Sequence, residues 1–310
     1  MITFGEMVAE TAAHLRSFVR DQEISTHITG PIDDAVTVIE VADAAVVSRG
    51  RVEIDDELIW IDSSDKGTTL TIPPYGRGMD GTTAMAHTSG TRVIVSPLYP
   101  RSFLKQTLNQ TIKQIGAQLY GTESLECVTH SDGNFKYELP DYTRDVLNVK
   151  VTDPTWQDDV TFLRDWTFDK SAPQSVSASG KALYLYDDWV GSGVDLRVTI
   201  SRDPMSLEAD SDLFSDSFLP DSAQDLPVLG AAARLLATSD SYDLQTRAIE
   251  AQTMNTDSRG GSAAQAQSKY LQALFMSRME EERLRLLNTN NNRTRYESNG
   301  LSGPLNFGWM

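Results

Sequence analysis

Between Gly30-Pro31 and Pro97 the apolar residues pass from helical spacing to alternation, and this change constrains the fold more than any other feature. Val36 and Val38 alternate with their neighbours through Glu40. Val52, Ile54 and Leu58, Trp60 flank the acidic run Asp55-Asp56-Glu57, and Thr69 to Ile72 and Arg92 to Val95 add two short runs. Successive side chains of a strand point to opposite faces, so a period of two marks half-buried strands. A short acidic turn between two such runs marks a hairpin. Residues 22–97 are therefore expected to form a small β module, a barrel or a compact sandwich.

Helical patterns bracket this module. From Thr3 to Arg20, Phe4, Met7, Val8, Ala12, Leu15 and Val19 recur mostly at spacings of three or four, which predicts an N-terminal helix within residues 1–21. After Pro97 and Pro100, Phe103, Leu104, Leu108, Ile112, Ile115 and Leu119 predict a second amphipathic helix over 98–121, with Gly121 as the residue just past its end.

Strand-like runs resume at Leu125–His130, Phe135–Leu139, Val146–Val151, Val160–Phe168, Ala182–Tyr186 and Val194–Ile200. Turns are expected at Ser131-Asp132-Gly133 and Gly191-Ser192-Gly193. This spacing suggests an antiparallel sandwich over 122–202. From Asp203 to Asp225 there are seven acidic residues and no Lys or Arg, read as an exposed acidic connection anchored by a few apolar side chains. Helices follow in 226–288, at Leu226–Leu236 and Ser262–Leu287. The second carries Tyr270, Leu271, Leu274, Phe275, Met279 and Leu284, with Glu280-Glu281-Glu282 spaced to pair with Arg283 and Arg285. The Asn288 to Asn292 run is expected to end it. Residues 289–310 then form an extended arm in which Leu305, Phe307 and Trp309 alternate, as in a segment laying one face into a groove. The fold class is thus α+β.

At 310 residues the chain can bury more than one core. No apolar run approaches the roughly 20 residues needed to cross a bilayer, so no membrane partner is expected. The opening MITFGEMVAE lacks the basic and apolar regions of a signal peptide, and the single cysteine, Cys127, forms no intrachain disulfide framework, which fits a reducing compartment such as a bacterial cytoplasm. The net charge of −17 disfavours tight binding to nucleic-acid phosphates but lets DNA pass a non-sticking wall.

Catalytic patterns lack their required context. Gly76-Arg77-Gly78-Met79-Asp80-Gly81 fits a dinucleotide fingerprint, yet Pro73-Pro74 precede it and Thr82-Thr83 follow, where a strand and a helix are needed. Ser102-Phe103-Leu104-Lys105 has the spacing of a serine nucleophile motif without its companions. His14, His27, His87 and His130 are scattered, and the acid pairs Asp33-Asp34, Asp55-Asp56 and Asp187-Asp188 sit where turns are expected. The chain is expected not to be an enzyme and to hold neither cofactor nor metal.

The stretch Val47–Val95 carries Ile54-Asp55-Asp56-Glu57-Leu58-Ile59, Thr69-Leu70-Thr71-Ile72, Gly76-Arg77-Gly78, Gly81-Thr82-Thr83-Ala84, His87 and Gly90-Thr91. It resembles a β module that recurs in tailed-bacteriophage virion proteins, and its motif residues are Asp55, Asp56, Gly76, Arg77, Gly78, Gly81 and His87. The order after it is Pro100-Arg101 opening a helix with Leu108-Asn109-Gln110, a β region, Leu229-Gly230-Ala231-Ala232, and a late Leu274-Phe275 to Glu281-Glu282-Arg283 helix. That order resembles phage head-to-tail adaptor (connector) proteins.

The resemblance implies a virion structural protein, assembled in the host bacterial cytoplasm. It would form a homo-oligomeric ring, commonly twelvefold, between the portal protein and a downstream tail or stopper protein, with DNA passing through. C-terminal helices or tails would engage the portal or the adjacent subunit, through Tyr270, Leu274, Phe275, Arg283, Leu305, Phe307 and Trp309. A minimal adaptor lacks the N-terminal helix and β module. This departure leaves the alternative of a minor tail or decoration protein whose β module binds a neighbour or a host glycan.

Overall fold

A computed structural model describes residues 1–16, 23–129, 135–152, 160–186, 194–237 and 263–298. The fold is mixed α+β and divides into two compact units. One comprises Gly5–Gln110 and Val228–Ala273; the other comprises Met1–Phe4, Thr111–Pro227 and Leu274–Met310.

The first unit holds seven short strands: β1 (Ser25–His27), β2 (Val38–Glu40), β3 (Gly50–Ile54), β4 (Glu57–Ile61), β5 (Ser63–Ser64), β6 (Thr69–Thr71) and β7 (Arg92–Val95). They pair antiparallel in the orders β1-β7-β3-β4 and β2-β6-β5. Both margins of these sheets are joined. At one, the chain runs from β4 into β5 through Asp62, whose N–H donates to the Thr71 carbonyl at 2.9 Å. At the other, Ile28 bridges Val41, the Thr29 N–H donates to the Glu40 carbonyl at 3.0 Å and the Ala42 N–H to the His27 carbonyl at 2.9 Å. The module is therefore a closed barrel. Ile28, Ile39, Val52, Ile54, Ile59, Ile61, Leu70 and Val93 fill it, and branched side chains suit so narrow an interior.

Helix α1 (Phe4–Arg16) buries Phe4, Met7, Val8, Thr11 and Leu15, the stripe its spacing predicts. Its one buried polar group is satisfied locally, since the Thr11 hydroxyl donates to the Met7 carbonyl at 2.8 Å. Helix α2 (Arg101–Gly116) buries Leu104, Leu108, Ile112 and Ile115. Phe103, expected in that stripe, is exposed, because it lies a full 100° around the helix from Leu104.

The helix also stops earlier than expected. Gly116 is its last residue, where an added Cβ would stand 2.3 Å from the Pro204 ring, and Gly121 instead opens β8, against Phe218.

The second unit holds β8 (Gly121–Thr129), β9 (Lys136–Glu138), β10 (Thr143–Thr152), β11 (Val160–Phe162), β12 (Trp166–Asp169), β13 (Ala182–Leu185) and β14 (Asp195–Arg202). They form antiparallel sheets ordered β11-β10-β14-β8 and β12-β13-β9. Val146, Val149, Val151, Leu196, Val198 and Ile200 of the first sheet share one core with Tyr137, Leu183 and Leu185 of the second, as in a sandwich. Arg202 ends the ladder with its guanidinium 4.0 Å from the Tyr142 ring centre and 4.1 Å from that of Phe218, paired with Glu123.

The acidic connection is held down by Leu207, Phe214 and Leu219, all buried, and forms two single 3₁₀ turns at Phe214–Ser217 and Asp221–Ala223. Its last acid, Asp225, pairs with Arg278 at 2.9 Å.

Residues 226–237 form α3, and α4 runs from Ala263 to Ser298. The asparagine run does not end this helix, which continues through Asn288–Asn292 and takes in the first residues assigned to the arm. Asparagine disfavours a helix interior by only about 0.7 kcal/mol per residue, less than a helix breaker such as proline. The expected turns at 131–133 and 191–193, His130, the Asp187-Asp188 pair, and Leu305, Phe307 and Trp309 lie outside the described residues.

Candidate functional site

The β3–β4 hairpin turns on two residues, Asp55 and Asp56, with Ile54 opposite Glu57 and Asp55 in the left-handed region at φ 52°. Short polar side chains tolerate that conformation best among non-glycine residues. The tight turn divides three successive acids between two clusters, Asp55 and Glu57 meeting at His87 and Asp56 reaching α2.

Glu57, the first residue of β4, has 0% side-chain exposure and accepts five hydrogen bonds. Arg77 grips it with two prongs, Nε to Oε1 at 2.7 Å and Nη2 to Oε2 at 2.8 Å. The Gly78 and Met85 N–H groups donate at 3.0 and 3.2 Å, and His87 Nε2 lies 2.9 Å from Oε2. Arg77 also donates to the carbonyls of Asp33 and Met85, both at 2.7 Å. On the far side of its ring, His87 Nδ1 lies 2.9 Å from Asp55 Oδ2, and its backbone exchanges two hydrogen bonds with Ile32. One buried ion pair, Glu57 with Arg77, thus ties together the hairpin, the 33–36 loop, the glycine-rich loop and the 85–87 segment.

The glycines of that loop are explained by close approach. A Cβ on Gly76 would stand 2.8 Å from the Trp60 carbonyl oxygen, and Gly78 sits at φ 61° with the Thr82 carbonyl 2.9 Å from where its Cβ would be. Asp80 pairs with Arg51 at 2.9 Å, and Gly81, at φ 84°, completes the turn.

Burial alone would push the Glu57 carboxyl up. The Arg77 hydrogen bonds, then those of His87, Met85 and Gly78, outweigh it and bring the pKa down to about 2. For His87, burial acts to lower the pKa, but the bonds to Glu57 and Asp55 prevail and raise it above the usual 6.5. Both ring nitrogens face carboxylates, an arrangement that suits a doubly protonated imidazolium. With both His87 nitrogens engaged and Glu57 fully subscribed, neither has a proton or lone pair to offer a substrate. The cluster is a clamp. Among the described residues, no three His, Cys, Asp or Glu side chains are placed to hold a metal ion.

Asp56 points to a second cluster. Its Oδ1 accepts from Arg101 Nε at 2.9 Å and its Oδ2 from Lys105 Nζ at 2.6 Å, both on α2. Glu53 of β3, only 4% exposed, accepts the backbone N–H of Arg101, the first residue of that helix. Beside this junction lies a cleft of about 630 Å³ lined by Arg51, Leu58, Thr82, Leu98, Ser102 and Phe103, among others.

The motif residues Asp55, Arg77, Gly78 and His87 are therefore gathered around Glu57, while Asp56 serves the α2 junction. Of the residues expected to mediate assembly, Tyr270 is 60% exposed and Phe275 is 5% exposed within its own chain. Leu274 is half-buried, and Arg283 pairs with Glu280 at 2.8 Å. Glu57 stands in the sequence as part of the acidic run and of the Ile54–Ile59 motif, with nothing to mark it as the buried acceptor, and Glu53 belongs to no motif. One signal was present: Arg77 is the only Lys or Arg between Lys66 and Arg92, so a buried site there needs an acid close by.

No known protein-family model matches the chain, and no curated protein is similar to it. Among the described residues no helix is long and apolar enough to cross a membrane.

Proposed function

We propose that the protein is a structural subunit of a tailed-bacteriophage virion, a head-to-tail adaptor that forms a ring between portal and tail. The observation that carries the virion part of this reading is the gathering of Asp55, Arg77, Gly78 and His87 around one buried carboxylate, and the adaptor part rests on the order of elements after the barrel: α2, the β sandwich, α3 and the late helix α4. The four gathered residues are among those on which the resemblance to phage virion modules rests, and the clamp gives each of them a physical task.

Helix α4 supports an assembly role. Leu271, Phe275 and Met279 are buried, whereas Tyr270, Met276, Leu284 and Leu287 are exposed on its remaining surface, and exposed apolar side chains grouped on a helix suit contact with a neighbouring subunit. A wall of net charge −17 per subunit would repel DNA and let it slide.

The test is to mix the purified protein with its portal and image the product. A ring complex is expected. Failure to bind portal, with binding to a tail-tip protein instead, overturns the adaptor reading.

The cleft beside the glycine-rich loop favours a second reading, a minor tail or decoration protein whose barrel holds a neighbour or a host glycan. Deleting residues 22–97 separates the two. Loss of host adsorption in particles whose filled heads still join tails supports the second.

A further inference from the structure

The junction between the barrel and α2 has the construction of a latch. After β7 the chain turns through Ser96, a non-glycine residue at φ 50°, and then Pro97 and Pro100 before α2 begins. Such a strained turn persists only where the surroundings hold it.

What holds it comes from the hairpin opposite. Asp56 takes the Arg101 and Lys105 side chains, and Glu53 takes the Arg101 backbone N–H. The two acids differ in surroundings. Asp56 is 35% exposed and has two cations, whereas Glu53 is 4% exposed and, among the described residues, accepts a single hydrogen bond, from that one N–H.

With one such bond, burial costs a neutral carboxyl far less than an ionised one. An ionised one needs several donors, and burying it without them costs free energy that water entering the junction would relieve. The charged groups acting on Glu53 are Arg101, which favours its ionised form, and Asp56 and Glu23, which oppose it. Lys105 is held on Asp56, and Glu23 itself pairs with Arg16 and Arg92.

We propose that Glu53 is a proton-operated latch: protonated, it closes the barrel onto the first turn of α2, and ionised, it loosens that turn and the Ser96–Pro100 segment leading into it. Burial supports this by pushing the Glu53 carboxyl up to about 7, with the Arg101 N–H only partly offsetting it. The switch then operates around neutrality. It stands on the junction alone and is independent of the adaptor reading.

Hydrogen exchange on the full chain tests it, with protection at the Arg101 and Leu104 amides followed from pH 5 to 8 and corrected for intrinsic rates. The Leu104 N–H reports the first turn, since it donates to the Pro100 carbonyl at 3.0 Å. A carboxyl titrating near 7 when closed and near its usual value when open predicts that protection falls on the order of 50-fold over this range. Glu53→Gln should keep protection high throughout. pH-independent protection in the unaltered chain, or an undiminished fall in E53Q, overturns the latch. Should E53Q not fold, carbon-13 NMR of Glu53 in the unaltered chain decides: a midpoint between 6 and 8 supports the latch and one below 5 removes it.

Discussion

Glu57 and Arg77 meet as a two-pronged ion pair inside the protein, at 2.7 and 2.8 Å, with side chains 0% and 8% exposed. Removing one partner of a buried pair strands the other, at a cost of about 3 to 5 kcal/mol. Arg77→Ala should therefore lower unfolding stability by about that much, read by urea denaturation. Arg77→Lys should lose part of it, because an ammonium cannot supply the fork that also reaches the Asp33 and Met85 carbonyls. An R77A protein as stable as the parent removes the clamp from the account.

Acid should dismantle the same pair. Glu57 is lowered from 4.5 to about 2, so its contribution is fully present above pH 4.5 and is lost as pH falls through the folded value. Integrated, the shift is worth about 3 kcal/mol. Melting temperatures between pH 5 and 2 should fall less steeply in Glu57→Gln, which starts from lower stability.

Alkali acts through two other groups. His87 is raised above 6.5, so its contribution is present below 6.5 and lost as pH climbs through its folded value. Glu53 is raised from 4.5 to about 7, so its contribution is complete below 4.5 and disappears as pH rises to about 7. With Glu57 failing in acid, these three groups place the stability maximum near pH 5. A thermal-shift series from pH 4 to 9 should show that maximum. An optimum at pH 8 would falsify the assignment of charge states.

Gly76→Ala should cost about 1 to 3 kcal/mol, since the new methyl group would meet the Trp60 carbonyl at 2.8 Å and neither backbone can move without disturbing β4. Gly30→Ala is the control. No atom lies within 4 Å of a Cβ built there, so little change is expected.

On the adaptor reading, removing residues 299–310 should weaken assembly with the portal or with neighbouring copies, measured by sedimentation. Undiminished assembly by the shortened chain removes the arm from the proposal.

Much of this was legible in the sequence, and the rest was hidden for identifiable reasons. Alternation announced the barrel because Val52, Ile54 and Leu70 report directly on a buried face. It could not announce closure, which depends on the long-range bridge of Ile28 to Val41. Glycine at 121 looked like a helix stop, but the stop lay at Gly116, where Pro204, far off in sequence, fills the space. The asparagines at 288–292 looked like another stop, and a weak local preference yielded to 36 residues of continuous helix. At the clamp, Asp55, Arg77 and His87 were recognised by their motif, while Glu57 read as part of an acidic turn. Its burial follows from partners 20 to 30 residues away, a separation that no local pattern records.

The closed barrel has one last consequence. Its two sheets are joined at both margins, so the module presents less open strand edge for addition by another chain than two separate sheets would. Recognition of the barrel then falls largely to side chains, where single substitutions can tune or abolish a match.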